Sequence, residues 1–187
     1  MLRPATDSDL PAMRAWRNQD ANRAVSLTQH EIGADEHTAW WAGVQADPAR
    51  RVLVFELDGR ALGVVTFFDL TPATAPERAS WGFYLDHDGT AADGTGLLAW
   101  TLIMREAVDH AFAAPPDGLG VDELCGEVLA DNEAVRAMNR RFRFAEGTPE
   151  VRPVGGALRE VIPIRLTRAD HRARRTTAGA PAARRMS

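Results

Sequence analysis

The chain has 187 residues, 45% hydrophobic and 26% charged, with a formal net charge of −4. That length suits one domain with a real core, and no apolar run approaches the roughly 20 residues of a membrane helix. All 22 basic residues are arginine and Cys125 is the single cysteine, which excludes Schiff-base chemistry on lysine, an intrachain disulfide and a thiolate metal cluster.

Charge is unevenly placed. From Arg165 onward seven arginines stand against the lone Asp170, a net +6, which leaves −10 for the remainder. An acidic body disfavours nucleic acid as the main partner, because phosphate neutralisation needs a cationic face. The opening MLRPATDSDL lacks the basic-then-apolar character of a signal peptide, so the expectation is a cytoplasmic protein with no membrane partner.

Leu2–Thr6 reads as a short strand, with Pro4 suited to a sheet edge. Asp7 or Ser8 can cap a helix that starts near Leu10-Pro11 and turns Leu10, Met13, Ala15 and Trp16 to one side. Asn22–Ile32 is expected as a loop or broken helix. Asp35 or Glu36 starts a second helix through Trp40, Trp41 and Val44, ending before Asp47-Pro48. Arg51–Leu57 and Ala61–Leu70 are strands joined at Asp58-Gly59, a hairpin signal. A turn over Thr71–Glu77 leads to a strand at Ala79–Leu85, completing an antiparallel meander.

Residues 86–93, rich in Asp, Gly and Thr, read as a loop, and after Gly94-Thr95-Gly96 a helix runs to about Phe112. Its expected buried stripe is Leu97, Trp100, Met104, Val108 and Ala111. A glycine-punctuated loop entering a helix N-terminus suits an anion, because orphan N–H groups and the positive dipole end meet there. A tight turn before a core helix is the other use of the same two glycines. Glu123–Ala130 is a strand, Asp131-Asn132 an N-cap signal for the helix Glu133–Phe142, and Phe144–Val151 and Leu158–Leu166 two closing strands. From Thr167 the chain is polar and Ala/Arg-rich and is expected to be disordered, so residues 1–166 form the domain and 167–187 a tail. The order describes an α+β protein, a mixed sheet of about seven strands flanked by about four helices.

These elements resemble the GCN5-related N-acetyltransferase (GNAT) superfamily over about Leu2 to Leu166. The resemblance rests on the element order, on WGFYL, DGTGLLAW, EVLADNEAV and FRFAEG, and on Trp16-Arg17-Asn18 and His37 followed by Trp40. The local signatures look like the branch holding the aminosugar N-acetyltransferases of pseudaminic acid synthesis, with ribosomal-protein N-terminal acetyltransferases as neighbours. The resemblance implies a sheet splayed between its fourth and fifth strands, with acetyl-CoA wedged there as acetyl donor. Phe83, Tyr84 and Leu85 would pair with the pantetheine arm through their backbones. Asp93, Gly94, Thr95, Gly96 and Leu97 would cradle the pyrophosphate, and Asn132 would contact the cofactor. Two positions depart from the family pattern. Ala91 stands where a Gln or Arg is usual, with Arg136 or another arginine as the substitute. Asn139 stands where many members carry a tyrosine general acid, and an amide can only hydrogen-bond the sulfur.

The implied reaction is attack of a primary amine on acetyl-CoA, which requires a proton acceptor. Glu127 is the preferred base, on the strand beside the splay among apolar neighbours; an outward or arginine-paired Glu127 is the alternative. Tyr84, the only tyrosine, is the next polar candidate. His37 and Trp40 could grip a sugar or nucleotide by stacking, Arg17 and Arg23 could meet an anionic acceptor such as a nucleoside diphosphate, and Trp81 completes the substrate-binding set. No histidine shows metal-ligand spacing, so no metal is expected. The expected acceptor is a small-molecule amine, such as an amino sugar, a nucleotide-linked amino sugar or a specialised metabolite, with the chain a monomer or homodimer. A protein N-terminal acetyltransferase and a non-catalytic acetyl-CoA-binding regulator are the alternatives.

Overall fold

The computed structural model describes residues 1–70 and 77–179, without the side chains of residues 174–179. The turn expected at Thr71–Glu77 therefore lies, except for Glu77, outside the described residues, as does the end of the tail.

One mixed sheet of eight strands runs through the molecule. Strands β1 (Leu2–Pro4), β2 (Arg51–Leu57), β3 (Arg60–Phe68) and β4 (Arg78–Leu85) form an antiparallel half. Strand β5 (Glu123–Leu129) lies parallel to β4 and antiparallel to β8 (Ala157–Thr167), which also pairs with β6 (Ala145–Glu146) and β7 (Glu150–Val154). At the β2–β3 hairpin Asp58 and Gly59 both take positive φ, 52° and 78°, as the tight turn between twisted strands requires.

Helices cover both faces. On one, α5 (Gly96–Phe112) and α6 (Glu133–Arg141) enclose a core in which Phe67, Ala79, Trp81, Ile103, Met104 and Phe144 are buried. On the other, α1 (Leu10–Arg17), the short α2 (Asp20–Ala24) and α3 (Ala34–Ala46) accompany a smaller cluster built on Met13, Trp41, Val44, Val52 and Val64. The alternation of side chains along β4 divides its residues between these layers: Trp81 joins the α5 core and Tyr84 packs against the α1/α3 cluster.

Several elements differ from the sequence reading; the strand expected at Phe144–Val151, for one, is divided into β6 and β7. The loop expected at residues 86–93 contains helix α4 (His87–Ala92), started by Asp86, whose carboxylate accepts from Gly89 N at 3.0 Å. Helix α5 begins where expected, but Leu97 and Leu98 are 71% and 53% exposed, and burial starts only at Ala99. Beyond Leu166, where a tail was expected, the described residues 167–179 form regular structure. β8 reaches Thr167 and leads into α7 (Arg168–Gly179), whose first turn is held by the body. Arg168 donates to the carbonyls of Phe112, Gly120 and Val121 and to Asp122, while buried His171 stacks on Phe112 at 5.0 Å. Composition suggested solvation; a guanidinium fork filling three carbonyl acceptors overrides it.

Candidate active site

Strands β4 and β5 are paired only where Arg78, Ala79 and Ser80 meet Glu123, Leu124 and Cys125. Beyond that point they diverge, while β4 stays paired to β3 and β5 to β8. The sheet is thus split from Trp81 and Gly126 onward, and each strand presents one unpaired edge to the gap. Gly126 sits at the apex, where a Cβ would come 3.3 Å from the Trp81 carbonyl oxygen.

The ladder identifies which groups face the gap. Asp86 N donates to Leu62 O at 2.8 Å, and antiparallel pairing alternates, so Tyr84 and Gly82 spend their backbone groups on β3. Trp81, Phe83 and Leu85 turn theirs outward, although the Leu85 carbonyl already accepts from buried Asn22 Nδ2 at 2.8 Å. Of the three residues expected to offer a backbone edge, Tyr84 thus has its backbone groups turned to β3, although it lines both cavities.

Two cavities meet at the split and share the walls Trp81–Tyr84 and Gly126-Glu127. The smaller, about 310 Å³, runs between α5 and α6 past Trp100, Asn132 and Asn139. The larger, about 920 Å³, lies between Arg17 and the segment Val25–Thr28 on one side and β5, β6 and β8 on the other. Arg17 Nη1, Trp100 Nε1 and Asn139 Nδ2 are buried side-chain nitrogens without an acceptor. Every one belongs to a residue that lines one of these cavities. Unpaired buried donors are costly and rare, so their gathering at one cleft marks a place completed by a ligand.

The sequence candidates fare unevenly. Asn139 is only 2% exposed and its amide nitrogen is one of the three. Asn132 caps α6, its side-chain oxygen accepting from Val135 N at 3.2 Å, and stands at the mouth of the smaller cavity. Glu127 lines both cavities, but its expected apolar setting is absent: its side chain is 41% exposed and ion-paired with Arg152. Burial holds the Tyr84 phenol well above its usual range, against the opposing charge of nearby Arg17, so the hydroxyl keeps its proton at neutral pH. Trp81 is a core residue, stacked between Phe83 at 5.6 Å and Phe144 at 5.8 Å, and only lines the floor of the cleft. His37 and Trp40 line neither cavity. His37 is buried, stacked on Trp40 at 5.1 Å, and burial holds its imidazole below the ordinary range, which leaves no free face to grip a sugar.

The anion loop also shifts. The amides of Asp93, Gly94 and Thr95 bond to Gly89 O, Ala91 O and Thr90 O, closing α4. The N–H groups left open by helix geometry are those of Gly96, Leu97 and Leu98 at the start of α5. Arg136, the suggested replacement for the side chain missing at Ala91, is committed to Glu146 and the Ala130 carbonyl. The arginine that does stand at this loop is Arg60, 2.7 Å from Asp93. Sequence reading missed Arg60 and also Trp100, which at its helical spacing is indistinguishable from a core residue.

Residues 1–145 match the family model described as an acetyltransferase (GNAT) domain. The chain belongs to the GNAT acetyltransferase family and is an N-acyltransferase enzyme of that type. Solved structures share the fold. A spermidine N-acetyltransferase from Vibrio cholerae in complex with CoA and spermine aligns at TM-score 0.75 and 15% identity, over 91% of this chain and 96% of that one. An N-acetyltransferase from Staphylococcus aureus Mu50 aligns at 0.65 and 25%, over 89% and 97%. A ribosomal-protein-alanine N-acetyltransferase from Brucella melitensis aligns at 0.64 and 20%, over 89% and 99%. No curated protein sequence matches the chain.

Proposed function

We propose that the enzyme transfers the acetyl group of acetyl-CoA to the primary amine of a small molecule, with the donor in the smaller cavity and the acceptor in the larger. The observation that carries this reading is the split between β4 and β5 with orphan donors on both sides. The residues fit a CoA thioester. The open edge of Trp81 and Phe83 suits an amide-bearing arm laid down as an added strand. Trp100 Nε1 and Asn139 Nδ2 supply donors in the same cavity, and the amides of Gly96, Leu97 and Leu98 suit a diphosphate. Acetyl-CoA, when bound, supplies an acyl carbon activated as a thioester.

The remaining work falls to the protein. An N–H on the β4 edge stabilises negative charge as it grows on the acyl oxygen. Glu127, the one carboxylate shared by both cavities, accepts the proton that the incoming ammonium must lose. Asn139 donates a hydrogen bond to the departing sulfur without transferring a proton, which suffices because a thiolate is a fair leaving group.

Thiol release from acetyl-CoA with a panel of small amines, nucleotide-linked amino sugars and peptides tests this. Turnover of a small amine without peptide acetylation is the expected result. Acetylation of peptides alone would instead favour an N-terminal acetyltransferase, and tight acetyl-CoA binding with no turnover would favour a regulator.

A further inference from the structure

Charge in the acceptor cavity is balanced almost everywhere. Glu123 pairs with Arg165 at 3.1 Å and lies 3.9 Å from Arg78. Glu146 pairs with Arg136 at 2.9 Å and Glu127 pairs with Arg152. Among the described residues, only exposed Asp69 at the rim is left of the lining acids.

Arg17 is the exception on the cationic side. Its Nη2 donates to the Thr28 carbonyl at 2.7 Å, which pins the guanidinium plane, while Nη1 is buried with no acceptor. Burial opposes its charge and outweighs the favourable influence of Tyr84, with the neighbouring charge of Arg23 a smaller opposing effect. Arg23 is itself turned to the Gln29 carbonyl at 3.0 Å and to Asp20 at 3.6 Å. A half-buried cation with a buried, unpaired Nη1, held in place beside a second cation and without an anion, lacks one partner.

We infer that the acceptor is an amine that also carries a carboxylate or phosphoryl oxyanion, held by the free edge of Arg17 beside Tyr84. This deepens, and rests on, the acyl-transfer reading above. A guanidinium fork matches such oxyanions in two-point contact, and a cavity of about 920 Å³ holds a small amphoteric molecule. The same balance disfavours a polycation, since the acids a polyamine would need are already neutralised by arginines.

The test compares amines with and without the anion: an ω-amino carboxylate, its amide, an amino phosphonate and spermidine, each assayed for thiol release. The wild type is expected to prefer the anionic amines, and the ratio of kcat/KM between carboxylate and amide to fall about 30-fold in Arg17→Gln, with Arg17→Lys between them. The carboxylate and phosphonate arms distinguish the two oxyanions. Equal turnover of carboxylate and amide, or preference for spermidine, overturns the inference while leaving acyl transfer standing. If no amine turns over, acyl transfer to small amines fails. Calorimetric binding of the ω-amino carboxylate to the CoA-loaded protein, in wild type and Arg17→Lys, then still decides the role of Arg17: binding weakened in the variant supports it, and equal or absent binding overturns it.

Discussion

Asn139 combines two facts that a purely structural residue rarely does: it is buried, and its amide nitrogen has no partner. Replacing it with leucine, which has the same branching, removes an orphan donor, so Asn139→Leu should gain about 1 kcal/mol of stability while losing about tenfold in kcat. A loss in both thermal stability and kcat would return Asn139 to an ordinary packing role. Glu127 offers the complementary experiment. Glu127→Gln keeps shape and lining but cannot take a proton, and kcat should fall about a hundredfold with acetyl-CoA affinity little changed. His37 makes a stability statement instead. Its folded pKa lies below the ordinary 6.5, mainly through burial and also through Arg14, against Glu36. The unfolded chain therefore binds the proton more readily. The stabilisation is complete above the unfolded value and is lost as pH falls through the folded one. Thermal melts between about pH 8 and about pH 5 should show this decline, shallower in His37→Phe.

At the level of elements, the site depends on two strands ceasing to pair. Gly126 keeps the gap open at its apex, because a side chain there would press on the Trp81 carbonyl, which is backbone and cannot swing away, and on Ile164. Gly126→Val should weaken acetyl-CoA binding by at least about tenfold, measured by calorimetry; unchanged affinity would mean the donor does not pass the apex. Helix α4 has a comparable influence on the anion loop. By closing on the amides of residues 93–95 it moves the open N–H groups to the first turn of α5. Gly94, at φ 71°, makes the sharp passage between these two helices.

At the scale of the whole molecule, the C-terminal helix closes the end of the β5–β8 pair onto α5. Arg168 satisfies the carbonyls of Phe112, Gly120 and Val121, and His171 Nε2 lies 3.3 Å from Asp109. Arg168→Ala strands several acceptors and should cost about 2 kcal/mol, a fall in Tm of about 4–8 °C. Truncation after Leu166 should lower Tm at least as much, whereas a tail without structural role predicts no change. Among the described residues no helix is long and apolar enough to cross a membrane.

The sequence by itself determined the architecture, because its signals are local. Branched strands, the Asp58-Gly59 turn and the Asn132 cap each specify backbone within a few residues, and their order recovers the mixed sheet, while the place where it opens came from the family resemblance. Asn139 was singled out only through the family resemblance, by its place seven residues after Asn132, and not by a local signal. What only the tertiary structure decided is which charges are already spent. Glu127 and Arg136 are neutralised by Arg152 and Glu146, from other elements, while Arg17 is left unpaired at the cavity wall. Whether Trp100 and Trp81 serve cleft or core, and whether His37 has a free face, depends likewise on what packs above them. Pairing and burial between elements distant in sequence are properties of three-dimensional proximity, and periodicity along one chain does not encode them.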